Sequence, residues 1–234
     1  MFTVALIGGD GAGKTTIAKQ LEKSLPWPNR YLYMGQSTIS SNAALPTSQV
    51  AKFLKLRLDK RNGAQPGNNN SKAPSSNDLH YGSANRSAIW VTARFLNRLA
   101  EAWWRQLLTS YYLLRGYVVI YDRHLLFESA PLNNSKIKRK NLLDHVEHRI
   151  MKYFYPKPNL VIFLDAPPEV LYNRKGEASP QYLEKRRETT LEQGKYVPNF
   201  VQVDASQPLD QVLSDVTRYI IEFHTNKNSK KTET

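Results

Sequence analysis

A glycine at position 8, four further residues and then Gly13-Lys14-Thr15 leave a chain few ways to fold around them. Residues 2–7 form a continuous β-prone run, and residues 17–25 carry apolar side chains at helical spacing, so the segment reads as strand, glycine loop, helix. In that context the spacing matches the phosphate-binding loop pattern. The residue types suit the chemistry. Glycines let backbone N–H groups curl around phosphate oxygens, and the start of the helix adds a favourable dipole. Lys14 is placed to span the β- and γ-phosphates of ATP, and the Thr15 hydroxyl to ligate Mg²⁺. The expected nucleotide side of a site is therefore Gly8, Asp10, Gly11, Ala12, Gly13, Lys14, Thr15 and Thr16.

Further β-prone runs follow at residues 30–35, 117–121, 160–165 and 200–204, separated by helical patterns at 87–114, 141–154, 170–194 and 209–223. Such alternation predicts an α/β, three-layer P-loop fold: a parallel sheet of about five strands flanked by helices, with a mobile lid. Apolar residues at spacings of three and four between Ile89 and Leu114 predict one long, largely buried helix with Trp103 and Trp104 in the core and Gly116 as its cap. Residues 49–60 read as a short basic helix. Residues 61–83 are dominated by Asn, Gly, Ser and Pro, which bury too little apolar surface to offset the entropy of ordering, so a flexible insertion is expected. Residues 1–225 are read as a single kinase domain and 226–234 as a polar tail that frays.

With 33 Lys and Arg against 20 Asp and Glu, the chain carries a formal charge of +13 and favours an anionic partner. It has no cysteine, which excludes disulfides and thiolate metal sites. No run approaches the ~18 apolar residues of a membrane span, so a soluble, cytoplasmic protein is expected. The basic run 136–140 lacks the alternating aromatics of a stacking platform and reads as a solvated loop. No specific nucleic-acid or membrane partner is expected.

Four motifs resemble the thymidylate kinases, a family of nucleoside-monophosphate kinases. Asp10-Gly11-Ala12-Gly13-Lys14-Thr15-Thr16 is similar to that family's loop, in which the aspartate faces the acceptor sugar. Asp122-Arg123-His124 after a buried strand is similar to its Asp-Arg-Tyr or Asp-Arg-His, where the aspartate lies near the metal and the arginine holds the acceptor phosphate. Leu164-Asp165-Ala166-Pro167-Pro168-Glu169-Val170, leading to Arg174, resembles the approach to the first lid arginine. Val203-Asp204-Ala205-Ser206-Gln207-Pro208-Leu209 resembles the segment that passes the adenine, which brings Ala205 and Gln207 into the ATP site. The resemblance also implies that Arg94 or Arg98 of the long helix meets the acceptor base, and that the protein is a homodimer. Two positions depart from the family pattern. Ile7 stands where it usually has a glutamate, and Tyr33-Met34-Gly35-Gln36 where it has Arg-Glu-Pro.

Phosphoryl transfer needs positioning and charge neutralisation rather than covalent help, so the candidates are cations and metal-holding carboxylates. Lys14, Asp122, Arg123 and Arg174 are the expected catalytic set, with Thr15 and Asp122 at the metal and Asp10, Arg94, Arg98 and Arg123 toward the acceptor. Arg123 as a surface ion pair and Asp122 as a helix N-cap are the plainer readings. Arg174, Lys175, Arg186 and Arg187 form a basic patch suited to a lid, or else a solvated charged face. His124 reads as structural, because a phosphate acceptor is already ionised. The expected activity is ATP-dependent phosphoryl transfer to a nucleoside monophosphate, first dTMP. The alternatives are another small acceptor, a nucleoside or a surface-polysaccharide sugar, or a non-catalytic nucleotide-binding adaptor.

Overall fold

Each of the five apolar runs forms a strand: β1 (Thr3–Gly8), β2 (Asn29–Tyr33), β3 (Val118–Asp122), β4 (Leu160–Asp165) and β5 (Phe200–Asp204). All neighbours pair in parallel, in the order β2-β3-β1-β4-β5. The computed structural model describes residues 1–35, 84–128, 155–176 and 178–232. The expected helices at 49–60 and 141–154, the insertion 61–83 and the basic run 136–140 lie outside the described residues.

The side-chain period of two sorts each strand between two cores. Val4 and Leu6 of β1, with Tyr31, Tyr33, Val118 and Ile120, pack under helices α1 (Lys14–Ser24) and α6 (Leu209–Thr232). Ala5, Ile7, Leu32, Met34, Val119 and Tyr121 face the opposite way, toward α2 (Ala84–Leu114) and the short α3 (Leu125–Glu128). The central strands are buried on both faces, as a parallel sheet with helices on each side requires.

The basic segment after β4 forms two helices, α4 (Pro168–Lys175) and α5 (Pro180–Gly194), separated at Gly176, whose φ of 66° favours glycine. Proline opens both helices, and the Ser179 side chain caps α5 by accepting from the Tyr182 N–H.

Two expectations are corrected. The long helix is not largely buried: Trp103 is 49% exposed, Leu107 63% and Leu114 90%, and Trp104 is only partly covered. One face alone reaches the sheet, because a helix laid on a sheet buries a single stripe. The C-terminal segment does not fray at 226, and α6 continues to Thr232. Its extension is tied to the N-terminus. Lys227 Nζ donates to the Met1 carbonyl at 2.9 Å, and the His224 ring lies 4.0 Å from that of Trp27. Arg105 and Glu101 of α2 are buried in an ion pair at 3.2 Å, and Arg105 Nη1 donates to the Gly35 carbonyl at 2.8 Å, clamping the chain as it leaves β2. That helix face carries a paired charge, which is how a buried cation is tolerated.

Candidate active site

The glycine loop joins β1 to α1, and its shape depends on two glycines. A Cβ on Gly8 would lie 2.6 Å from the Leu164 carbonyl of the neighbouring strand, and Gly13 sits at φ 82° as the N-cap of α1. No side chain caps that helix and no acid lies in its first turn, so its amide end is open to an anion. Lys14 is buried, with Nζ donating to the carbonyls of Gly8 at 3.0 Å and Gly9 at 2.6 Å. The lysine is thus folded back along the loop it serves.

At the C-terminal end of β3, Asp122 and Arg123 point to different tasks. Asp122 is fully buried, and its Oδ2 accepts from the Thr15 hydroxyl at 2.5 Å and from the Tyr31 hydroxyl at 3.1 Å. Its Oδ1 has no hydrogen-bond partner among the described residues. The carboxylate therefore does not act as a helix N-cap. Arg123 adopts a left-handed backbone, φ 70°, and its Nη2 donates to Asp10 Oδ1 at 2.7 Å. Burial raises the Asp10 pKa, but the charges of Lys14 and Arg123 more than offset this and hold the carboxyl below its ordinary range.

Gly9, Asp10, Lys14, Arg123 and Arg186 border one cavity of about 370 Å³, closed on another side by Tyr33 and Phe127. It lies outside the carboxyl ends of β1 and β3, where ligands bind in open α/β sheets. Arg186 reaches it from α5 while donating to the Phe127 carbonyl at 2.7 Å. Its neighbour Arg187 is committed elsewhere, in a two-pronged pair with Asp165 at 2.6 and 2.8 Å that also raises its own pKa. His124 is fully buried, and desolvation pushes its pKa down to about 4, the Pro156 backbone opposing the shift. It is neutral at pH 7 and lies in the wall of the same cavity.

Arg174 does not border this cavity. Its Nη1 donates to the Ala205 carbonyl at 2.7 Å and its Nη2 to that of Ser206 at 3.3 Å, so it braces the turn between β5 and α6. Ala205 is held there by its own N–H on the Asp165 carbonyl at 2.6 Å, and Gln207 reaches Asp204 at 3.4 Å. Arg94 and Arg98 lie within α2, and their side chains are outside the described residues. Sequence reasoning passed over Tyr31 and Arg105. A tyrosine inside a buried strand needs a partner for its hydroxyl, which is the signal in the sequence that Tyr31 carried unread.

A divalent metal fits these residues. Among the described residues no cluster of three or more His, Cys, Asp or Glu stands ready to hold an ion. Mg²⁺ bound beside phosphates needs only one or two protein oxygens, however, and Thr15 Oγ1 with the uncommitted Asp122 Oδ1 supplies that donor set.

No family model matches the chain. Over 125 residues it is 34% identical to a probable thymidylate kinase of Archaeoglobus fulgidus, a stretch covering 50% of this chain and 60% of that relative. Thymidylate kinase from Candida albicans superposes with a TM-score of 0.58 at 22% identity, covering 97% of this chain and 92% of the other. The fold is that of a thymidylate kinase-like P-loop kinase. A deoxyadenosine kinase from M. mycoides shares the thymidylate kinase-like fold at a TM-score of 0.50 and 17% identity, over 94% of this chain and 99% of its own. Among the described residues no helix is long and apolar enough to cross a membrane.

Proposed function

We propose that this chain is an ATP- and Mg²⁺-dependent phosphotransferase that acts on a nucleoside monophosphate, first of all dTMP. The observation that carries this reading is the convergence of Lys14, Asp10 and Arg123 on one cavity, beside the bonded pair Thr15 and Asp122. ATP would lie with its β- and γ-phosphates on the loop amides and its base toward the turn at Ala205 and Gln207, which Arg174 braces. An oxygen of the acceptor phosphate attacks the γ-phosphorus, the bond from that phosphorus to the β–γ bridging oxygen breaks, and ADP leaves.

In this account Lys14 moves from the loop carbonyls to the transferring phosphoryl group and neutralises the charge that spreads over its oxygens. Arg123, already beside the loop through Asp10, holds the acceptor phosphate, while Asp10 faces the acceptor sugar. Arg186 adds a second cation from α5. Thr15 and Asp122 would hold Mg²⁺, which supplies electrostatic stabilisation of the phosphates. The probable thymidylate kinase of A. fulgidus supports the acceptor class, although the chain spans only about 60% of that relative's length.

A different small acceptor is the second reading, favoured by the end of β2. There Tyr33 and Met34 are buried and the Gly35 carbonyl is occupied by Arg105, where the resembling family carries an arginine and a glutamate. ADP release measured across dTMP, dUMP, other nucleoside monophosphates, nucleosides and simple sugars separates the two. Turnover with dTMP supports the first reading, and turnover with a nucleoside or sugar alone supports the second.

Residues 1–225 make up a single kinase domain in this reading, and a second copy covers the exposed stripe of Leu96, Trp103, Leu107, Tyr111 and Leu114 along α2, giving a homodimer.

A further inference from the structure

The carboxylate at the end of β3 has a partner outside the glycine loop. Tyr31 of β2 lies opposite Ile120 of β3, and Asp122 stands two positions further along, on the same face of the sheet. The tyrosine side chain is long enough to cross that diagonal, and its hydroxyl donates to Asp122 Oδ2 at 3.1 Å. Thr15 donates to the same oxygen, from the start of α1. The strand is itself fixed here, because the Tyr31 N–H donates to Glu22 Oε1 of α1 at 3.0 Å.

A carboxylate can accept about four hydrogen bonds through two oxygens. Two donors converging on Oδ2 from different elements set the torsion of the whole group and leave the lone pairs of Oδ1 uncommitted, although Asp122 is fully buried. An unsatisfied carboxylate oxygen in a buried site is costly, and its retention calls for a ligand that arrives later. Groups that orient a metal-side ligand in this way are known to affect metal affinity strongly without touching the ion.

We propose that Tyr31 is a positioning residue for Mg²⁺-dependent nucleotide binding, fixing the Asp122 carboxylate so that Oδ1 serves the metal. The inference rests on the proposed metal site at Thr15 and Asp122. Tyr31 acts through Asp122, and its role is separable from that of the glycine loop, which binds nucleotide phosphates with or without a metal.

The test is calorimetric titration of ADP into the whole chain, with and without MgCl₂, for the natural sequence and Tyr31→Phe, a change that deletes one oxygen and keeps the ring. The natural chain gains affinity for ADP when Mg²⁺ is added. In Tyr31→Phe that gain falls about 10-fold, while metal-free ADP binding stays within about twofold and so reports an intact fold. A Tyr31→Phe chain that keeps the full gain, or one that loses the same factor with and without Mg²⁺, overturns the inference and leaves the metal site standing. A natural chain that binds ADP but gains nothing from Mg²⁺ removes the metal site and the inference together.

Discussion

Arg123 reaches Asp10 across 2.7 Å, joining the end of β3 to the glycine loop, and holds a left-handed backbone, φ 70°, in doing so. A non-glycine residue in that region carries conformational strain that the surrounding structure must offset, and such positions concentrate at functional sites. The strain and the function can be separated. Arg123→Gly should be more stable than Arg123→Ala by about 1 kcal/mol, because glycine adopts the left-handed region freely. Both should lower turnover about 100-fold or more through loss of the acceptor cation. Chemical denaturation and steady-state kinetics on the two variants check this, and equal stabilities would remove the strain.

Two groups make stability fall in acid, in different pH windows. His124 has its pKa pushed from 6.5 down to about 4 by burial, so between these values the unfolded chain binds a proton that the native one does not. Stability should therefore drop as pH falls from about 6.5 to about 4, and His124→Gln should flatten that limb. Asp10 has a lowered pKa, so its contribution is present above its ordinary value of 3.8 and is lost as pH falls below it. Asp10→Asn should remove only that second, smaller limb, since the group is partly exposed. Denaturation midpoints across pH read both.

The structure puts Arg174 on the carbonyls of Ala205 and Ser206, away from the cavity. Arg174→Met should therefore raise the KM for ATP about 10-fold with kcat nearly unchanged, the pattern of lost uniform binding. A fall in kcat with KM unchanged would place the arginine at the transferring group instead.

The stripe on α2 predicts the oligomeric state. Leu107→Glu puts a charge in the centre of an apolar face that is 63% exposed at that residue, so it should leave the monomer folded and split the dimer. Light scattering after gel filtration measures both mass and homogeneity. A natural chain that runs as a monomer contradicts the proposed homodimer directly.

The sheet was legible because its central strands are short, apolar and buried on both faces, so that period and turn residues mark their ends almost unaided, as at Leu160–Asp165. The loop residues were legible for a related reason: glycine at a left-handed or crowded backbone position is visible as glycine. What escaped the sequence was partnership across distance. Trp103 lies on the same helical pattern as buried neighbours, and only the packing of α2 on the sheet decides which of its sides is covered. Arg174 and Arg187 share a basic segment, yet one binds carbonyls of the β5–α6 turn and the other a carboxylate at the end of β4. The tail beyond 225 reads as polar and frayed until Lys227 is seen against the Met1 carbonyl. Tyr31 and Asp122, 91 residues apart, are brought together by strand register alone.

Transfer of the γ-phosphoryl group is tested most directly by following label from γ-labelled ATP in the presence of Mg²⁺ and dTMP, with Lys14→Ala as the blank. The proposed function predicts that label moves to the nucleotide as dTDP in step with ADP, and that Lys14→Ala lowers the rate at least about 100-fold, since its cation neutralises the moving group. Label that remains in ATP with every acceptor offered, while ATP still binds, would contradict it and make the chain a nucleotide-binding protein without transfer.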